Sequence, residues 1–364
     1  MGEGQSASLS AQLRQRIRAA IAANGDWLPF DRFMTLALYE PGLGYYANGS
    51  RKFGLMPASG SDFVTAPEMS PLFGRALAAQ VAQALQACDS GEIWEFGAGS
   101  GALAAQLLAE LGDRIDAYHV VELAAELRER QALRLQPWAG RVHWHDRLSE
   151  RIDGVVLGNE LLDAMPVQLL HWDGQRWYER GVAVASDSFT WMDRPTALRP
   201  PSGDFVPGAV VEIHPQAEAF VRTLAGRMGR AAAFFIDYGF PEAEYYHPQR
   251  SGGTLMCHHA HRSDADPLAD VGLKDITSHV DFSGIALAAQ DAGLEVLGYT
   301  SQARFLINCG LTALMQGTGL QERIAAQRLI AEHEMGELFK VIGLARGVEL
   351  DALGFNNGDR SHRL

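Results

Sequence analysis

The chain has 364 residues, of which 47% are hydrophobic and 21% are charged, and its formal net charge is −13. An acidic chain of this kind lacks the basic surface of a nucleic-acid-binding protein, and its charge is compatible with a basic protein partner. No apolar run approaches the roughly 20 residues of a membrane-spanning helix, so we expect no membrane insertion. Three scattered cysteines indicate reduced thiols and a cytoplasmic location.

Residues 1–60 predict an N-terminal helical segment that packs on a larger core. Apolar residues recur on one helix face from Leu9 to Ile21. Residues 33–39 predict a second short helix, which ends before Pro41. A loop rich in Gly, Ser and Pro follows, to about Gly60.

A short polar segment precedes the first predicted buried strand. Ser70 can cap the helix that begins at Pro71, because proline suits the first helical position. A helix start alone does not account for the polar residues Thr65 and Glu68 on either side of Pro67. We therefore place this segment in the predicted ligand site.

The strand Glu92–Phe96 runs into the glycine turn Gly97-Ala98-Gly99-Ser100-Gly101, and a helix rich in alanine and leucine follows. Glycines at such a turn let backbone N–H groups approach a ligand closely. The spacing also satisfies the dinucleotide fingerprint, so a dinucleotide-dependent oxidoreductase is one alternative.

Two carboxylates beside this turn narrow the choice of ligand. Glu95 suits a positively charged ligand, such as the ammonium of a methionyl group, and is unsuited to a pyrophosphate. Glu122 ends a second strand 21 residues after Gly101 and can accept hydrogen bonds from both ribose hydroxyls. Together these features resemble the Rossmann-like S-adenosylmethionine-dependent methyltransferases. The resemblance implies that Glu95, Gly97, Gly99, Gly101 and Glu122 bind S-adenosylmethionine.

Polar residues also follow the apolar strand of residues 155–158. Asn159 and Glu160 come directly after it, and Asp163 lies three residues beyond Glu160. Ligands of open parallel sheets lie beyond the carboxyl ends of the strands. We therefore assign Asn159 to the cofactor site, together with Thr65 and Pro67.

If the group that accepts the methyl is cationic, carboxylates are needed to bind and orient it. We assign Glu160, Asp163 and Glu68 to that role as the catalytic residues. Two alternatives remain: Asp163 as a cap or turn residue, and Glu160 as an indirect partner of the cofactor.

Several regions are predicted to be insertions into a methyltransferase domain at 61–350. Residues 167–211 predict β hairpins, because alternating apolar and aromatic residues flank Asp173-Gly174. Residues 241–280 predict a long loop, and residues 302–335 a helical insertion. A tail covers residues 351–364.

The predicted loop carries a cluster of possible metal ligands, Cys257-His258-His259-x-His261. A second ligand pair at a recognised spacing is missing. We therefore expect no metal at these histidines.

Longer motifs identify the chain as similar to the MidA family over nearly its whole length. They are Met34-x-x-Ala37-Leu38-Tyr39-x-Pro41-x-x-Gly44-Tyr45-Tyr46, Asp62-Phe63-x-Thr65-Ala66-Pro67-Glu68-x-Ser70, the glycine turn, Asn159-Glu160-x-x-Asp163-Ala164-x-Pro166, Asp237-Tyr238-Gly239, Gly253-Thr254-Leu255 and Asp275-Ile276-Thr277-x-His279-Val280-Asp281-Phe282. The chain departs from the family at Ala98 and Ser100, where members commonly have proline and arginine.

The MidA family includes the mitochondrial arginine methyltransferase required for complex I assembly. The resemblance implies an α/β fold with a Rossmann-like, seven-stranded methyltransferase sheet. It also implies methyl transfer from S-adenosylmethionine to arginine on a protein substrate, such as a respiratory complex I subunit or its bacterial counterpart. A catalytically silent assembly factor that binds the cofactor is the main alternative.

Overall fold

The computed structural model describes residues 3–48, 65–201, 203–259 and 262–364, with side chains from residue 8 onward. The expected loop after residue 48, the motif residues Asp62 and Phe63, and His261 lie outside these ranges. The chain forms two compact units built from alternating segments of the sequence. Unit 1 contains Met1–Phe63, Asp163–Ala217 and Phe240–Asp281, and unit 2 contains Val64–Leu162, Glu218–Gly239 and Phe282–Leu364.

Across the described residues, the α-helices lie between residues 3 and 134 and between residues 215 and 330. The α-helices are α1 (Glu3–Ala23), α2 (Phe30–Tyr39), α3 (Ala66–Met69), α4 (Pro71–Cys88), α5 (Ala102–Leu111), α6 (Ala125–Arg134), α7 (Pro215–Ala225), α8 (Glu242–Tyr245), α9 (Phe282–Asp291), α10 (Gln302–Asn308), α11 (Leu311–Gln316) and α12 (Leu320–Ile330). Within the described ranges, none of these helices is both long enough and apolar enough to cross a membrane.

The strands are distributed over several sheets. In chain order they are β1 (Leu28–Pro29), β2 (Glu92–Phe96), β3 (Ala117–Val121), β4 (Val142–His145), β5 (Ile152–Asn159), β6 (Gln168–Trp172), β7 (Trp177–Ala185), β8 (Ser188–Pro195), β9 (Val210–Ile213), β10 (Met228–Phe240), β11 (Met256–His259), β12 (Arg262–Asp264), β13 (Asp275–Thr277), β14 (Val280–Asp281), β15 (Glu295–Ser301) and β16 (Phe339–Arg346).

Unit 2 is built on a seven-strand run in the order β15-β16-β10-β5-β2-β3-β4. Neighbouring strands from β10 to β4 are parallel, whereas β16 is antiparallel to both β10 and β15. The register sets Phe96 opposite Val121 on one side and Gly158 on the other. The strands β2, β3 and β5 therefore end at one edge of the sheet. The parallel strands and the helices between them confirm the predicted α/β fold.

The helix α4 begins and packs as its sequence predicts. The Ser70 hydroxyl accepts a hydrogen bond from the Leu72 N–H at 3.2 Å, and Pro71 occupies the first turn. Leu77 and Val81 recur one turn apart and are fully buried. Each such side chain contributes about 1.5–3 kcal/mol through burial, so the helix is held by its apolar face.

Unit 1 contains an antiparallel sheet in the order β1-β7-β6-β9, with β8 paired to β7. The predicted hairpin at Asp173-Gly174 joins β6 and β7. The Asp173 carboxylate accepts hydrogen bonds from the N–H groups of Gln175 and Arg176 at 2.7 and 2.8 Å. Gly174 has a φ of +99°, which explains the glycine after the aspartate.

The prediction of a long loop at 241–280 was wrong, since α8 and the strands β11, β12 and β13 lie within it. Cys257 on β11 is paired with Ile276 on β13, and both side chains are buried. The strands contain only three or four residues each, and most of those residues are polar. Such strands show too little alternation for a period of two to be recognised.

Candidate functional site

The glycine turn after β2 has a backbone that side chains with a Cβ rarely adopt. Gly97, Gly99 and Gly101 have φ values of +64°, +53° and +78°. A Cβ on Gly97 would also lie 3.1 Å from Cδ1 of Leu161. The turn is thus restricted to glycine by its conformation, and it leaves backbone accessible to a ligand.

Glu95 is a buried carboxylate at the end of β2. It accepts a hydrogen bond from the Tyr118 hydroxyl at 2.7 Å, and both side chains are at most 3% exposed. Burial raises the pKa of Glu95 to about 7; the Tyr118 hydrogen bond opposes this, and the nearby Glu122 carboxylate adds to it. A ligand cation beside Glu95 would stabilise its charged form.

Glu122 and the glycine turn are linked by Gln131, a buried residue that the sequence analysis missed. The Gln131 amide donates to the Gly99 carbonyl at 3.0 Å and to the Glu122 carboxylate at 3.4 Å. Its oxygen accepts from the Trp144 indole at 3.0 Å. The sequence does hint at this role, because Gln131 lies one turn after Leu127 and is therefore a polar residue on the buried face of α6.

Glu122 is fixed further by its own loop. Its other carboxylate oxygen accepts a hydrogen bond from the Ala124 N–H at 2.9 Å. Burial raises the pKa of Glu122, and these hydrogen bonds act against that shift. The carboxylate is therefore held in one orientation at the end of β3.

Glu68 contacts the glycine turn directly. Its carboxylate accepts a hydrogen bond from the Ser100 hydroxyl, and it forms a 2.6 Å ion pair with Arg134 of α6. Arg134 also donates to the Ser100 hydroxyl at 2.7 Å. The structure thus places this predicted catalytic residue beside the cofactor turn.

Thr65 and Pro67 lie at the start of the same segment. The Thr65 carbonyl accepts hydrogen bonds from the N–H groups of Glu68 and Met69 at 3.1 and 3.0 Å. Pro67 is buried, and its carbonyl accepts from the Gln106 amide at 2.7 Å. Since Gln106 belongs to α5, the helix after the glycine turn holds this segment in place.

The end of β5 carries Asn159 and Glu160. The Asn159 amide donates to the Glu160 carboxylate at 3.1 Å. The Asn159 side-chain oxygen is buried and has no hydrogen-bond partner among the described residues, so it is available to a ligand donor. Glu160 has a φ of +52°, an uncommon conformation for a residue other than glycine and one that recurs at functional sites.

Asp237 at the end of β10 anchors the turn that carries Glu160. It is fully buried, and one carboxylate oxygen accepts from the N–H groups of Leu161 and Leu162 at 3.0 and 2.7 Å. The other oxygen accepts from the Tyr238 N–H at 3.0 Å. Such charge-assisted bonds are roughly twice as strong as neutral ones, which explains how the Glu160 conformation is maintained.

Asp163 belongs to unit 1, although it lies only three residues after Glu160. It is 4% exposed, and its carbonyl accepts a hydrogen bond from the Ser278 N–H at 3.0 Å. The structure therefore places Glu68 and Glu160 in one unit and Asp163 in the other.

The histidine motif, at which we predict no metal, begins on β11. His258 and His259 lie on that strand, and His261 is outside the described ranges. Within those ranges, no three His, Cys, Asp or Glu side chains are placed to hold a metal ion.

The residues at the edge of the unit 2 sheet fit a ligand with a cationic group and hydroxyls. Two buried carboxylates, Glu95 and Glu122, flank a turn in which three positions have a backbone conformation that favours glycine. The Asn159 oxygen provides a further acceptor. A second buried carboxylate near a pyrophosphate would be repulsive, so this chemistry disfavours a dinucleotide.

Comparisons with known proteins agree with this chemistry. Residues 76–300, more than half of the chain, match the model of a family described as S-adenosyl-L-methionine-dependent methyltransferases. A crystal structure of a Burkholderia thailandensis protein bound to S-adenosylhomocysteine is 48% identical and has a TM-score of 0.96, covering 100% of this chain and 99% of that chain. A second crystal structure from that organism is 47% identical with a TM-score of 0.93, at the same coverage.

More distant relatives carry a named activity. The chain is 27% identical to the Danio rerio protein "Protein arginine methyltransferase NDUFAF7, mitochondrial", over 94% of this chain and 89% of that protein. It is 28% identical to the Mus musculus protein of the same name, over 83% and 76% respectively. The resemblance to the MidA family is thus confirmed, and S-adenosylmethionine is the cofactor. The chain belongs to this family of S-adenosylmethionine-dependent methyltransferases.

Proposed function

We propose that the chain transfers a methyl group to an arginine side chain of a protein substrate. The observation that carries this proposal is the Glu160 carboxylate, held with a positive φ at the carboxyl edge of the cofactor-binding sheet. The activity named for the relatives from Danio rerio and Mus musculus supports it. When bound, S-adenosylmethionine supplies an electrophilic methyl group on a sulfonium.

A guanidinium is a poor nucleophile because it stays protonated near neutral pH. A fixed carboxylate can orient it through two parallel hydrogen bonds and favour the charge distribution that the attacking nitrogen needs. We assign this role to Glu160 and Asp163, the two carboxylates that follow β5 in the sequence. The net charge of −13 is compatible with a basic substrate.

From the resemblance to the MidA family, we propose a respiratory complex I subunit or its bacterial counterpart as the substrate. From the three scattered cysteines, we propose a cytoplasmic site of action. The test is mass spectrometry of the proteome with and without this chain. We expect dimethyl-arginine to be lost from one or a few proteins and to return when the chain is restored. Loss of methylation at another residue type would contradict the arginine assignment. A silent assembly factor would change no methylation at all.

The contacts of Glu68 lead to a separate prediction about cofactor binding. Glu68→Ala and Arg134→Ala should each weaken S-adenosylmethionine binding about tenfold, because either change removes the ion pair that fixes the Glu68 side chain beside the glycine turn. Calorimetric titration of each variant measures this effect. Because the two residues act as one pair, the double variant should lose little more than either single variant.

The reciprocal variant Glu68→Arg with Arg134→Glu is the control for this pair. It restores an ion pair in the opposite orientation and should recover part of the affinity. If both single variants bind S-adenosylmethionine normally but lose turnover, Glu68 acts on the acceptor instead.

A further inference from the structure

Unit 1 has a surface pocket beside the hairpin that joins β6 and β7. Its volume is about 300 Å³, which is at the lower end of the range for ligand sites. Three aromatic rings line it, those of Trp172, Trp177 and Phe205, together with the charged residues Arg199 and Asp204. All of these residues belong to one segment of unit 1, and none of them has a place in the cofactor site.

The aromatic rings of the pocket are held in a fixed arrangement. Trp172 and Trp177 are paired across the hairpin, with ring centroids 5.2 Å apart and planes inclined at 40°. The Phe205 ring is nearly perpendicular to that of Trp177, at 83° and 4.9 Å. The Trp172 backbone donates to the Ala209 carbonyl at 2.8 Å and accepts from the Gly208 N–H at 2.7 Å. Because the rings are positioned in advance, a ligand loses little affinity to their ordering.

The two tryptophans also offer hydrogen-bond donors that the fold does not use. Among the residues that the structure describes, neither Trp172 nor Trp177 donates a hydrogen bond from its side chain. Trp177 is only 7% exposed, and a buried indole N–H usually has a partner. Trp27 of the same unit follows this rule, since its indole donates to the Met192 carbonyl at 2.8 Å. A ligand rich in carbonyl groups would therefore complement the pocket.

The charged residues of the pocket differ in their availability. Asp204 is exposed and forms no ion pair within the described parts of the chain. Arg199 is tied to its own loop, because its Nη1 donates to the carbonyls of Thr196 and Leu198 at 3.0 and 2.6 Å. The available charge is thus the Asp204 carboxylate, which favours a basic side chain. The net charge of −13 favours a basic partner as well.

We propose that this pocket binds a proline-rich segment of a partner protein, with an arginine beside the prolines. A polyproline II helix has no internal hydrogen bonds, and proline lacks an N–H, so such a segment presents unpaired carbonyls and apolar rings. The rings pack on the aromatic side chains, and the carbonyls accept from the indoles of Trp172 and Trp177. The arginine pairs with Asp204. This binding does not depend on which residue the chain methylates.

Three hexapeptides, acetylated and amidated, test the proposal by calorimetric titration into the full chain. Their sequences are Pro-Pro-Pro-Arg-Pro-Pro, the same with glutamine in place of arginine, and Ala-Ala-Ala-Arg-Ala-Ala. We expect the first to bind with a Kd below about 1 mM. The glutamine peptide should bind about threefold more weakly, as for an exposed charge pair. The alanine peptide should bind at least about tenfold more weakly, because it lacks the proline rings.

Two variants connect this binding to the pocket. Trp172→Phe keeps an aromatic face and removes the indole donor, and it should weaken both proline peptides about fivefold, the cost of one hydrogen bond. Asp204→Asn changes an exposed side chain and should bind the arginine and glutamine peptides equally. Asp187→Asn is the matched control, because Asp187 is a fully exposed aspartate of the same unit. It should keep the preference for arginine.

Several results would overturn the inference and leave the proposed function intact. One is equal affinity for the proline and alanine peptides that contain arginine, since the pocket would then select only a cation. Another is an unchanged preference for arginine in Asp204→Asn, which would place the arginine elsewhere on the chain. Failure of the wild-type protein to bind either proline peptide would also refute the proposal.

Discussion

Replacement of Glu160 by glutamine is expected to lower turnover by roughly 10²–10³-fold, because the lost charge-assisted hydrogen bonds stabilise the transition state by several kcal/mol. Glutamine keeps the size of the side chain and removes its charge. S-adenosylmethionine affinity should fall much less. The measurement is the rate of S-adenosylhomocysteine release with the substrate found in the proteome comparison, together with a calorimetric titration of the cofactor.

Asp163→Asn should behave in the same way, as a folded protein that binds the cofactor and is nearly inactive. Glu110→Gln is the control, since Glu110 is a half-exposed glutamate whose ion pair with Arg75 lies at the surface and is worth little. Two results would contradict the assignment. One is near-normal turnover in both variants, and the other is a loss of activity that lost cofactor binding explains completely.

Glu95→Gln should weaken S-adenosylmethionine binding at pH 8 by about a hundredfold or more, because removing one partner of a buried charge pair costs about 3 kcal/mol or more. The pH dependence follows from the pKa of about 7. Wild-type affinity should be highest above pH 7 and fall as Glu95 becomes protonated below it. The affinity of Glu95→Gln should be nearly constant from pH 6 to 8. Parallel pH profiles for the two proteins would show that Glu95 does not bind the cation.

The charged form of Glu95 strengthens cofactor binding, but it destabilises the fold of the cofactor-free protein. The pKa of Glu95 rises from 4.5 to about 7 on folding, so the folded state holds the proton more tightly. Its contribution to stability is complete below pH 4.5 and is lost as the pH rises through 7. Cofactor-free Glu95→Gln avoids this loss, and at pH 8 it should be more stable than wild type by up to about 3 kcal/mol.

The cofactor strand and turn could be predicted because their chemistry is local in the sequence. Glu95 and the glycines are consecutive, and the parallel register then brings Glu122 and Asn159 to the same edge. The residues that hold this arrangement could not be found in the same way. Tyr118 and Gln131 act through partners 23 and 32 residues away, Glu95 and Gly99 respectively. Their roles depend on packing rather than on a motif.

The contacts of Glu68 could not be predicted from the sequence for a different reason. Its sequence position before the cofactor strand indicated a functional role, which we assigned to the acceptor. Only the structure shows the ion pair with Arg134 of α6, 66 residues further along the chain. The short strands of residues 256–277 were missed for a third reason. Their polar residues are stabilised by pairing with other strands, which no local pattern records.

The alternating segments of the two units determine the order in which the nascent chain can complete its structure. Ser10 of unit 1 bonds to Val271, 261 residues later, and Gln80 of unit 2 bonds to Gly354, 274 residues later. Contacts over such distances form late and slowly during folding. Helix α1 therefore emerges from the ribosome long before its partner residues exist. No single cut in the polypeptide can release either unit whole, so truncated forms that end at a unit boundary should aggregate or be degraded.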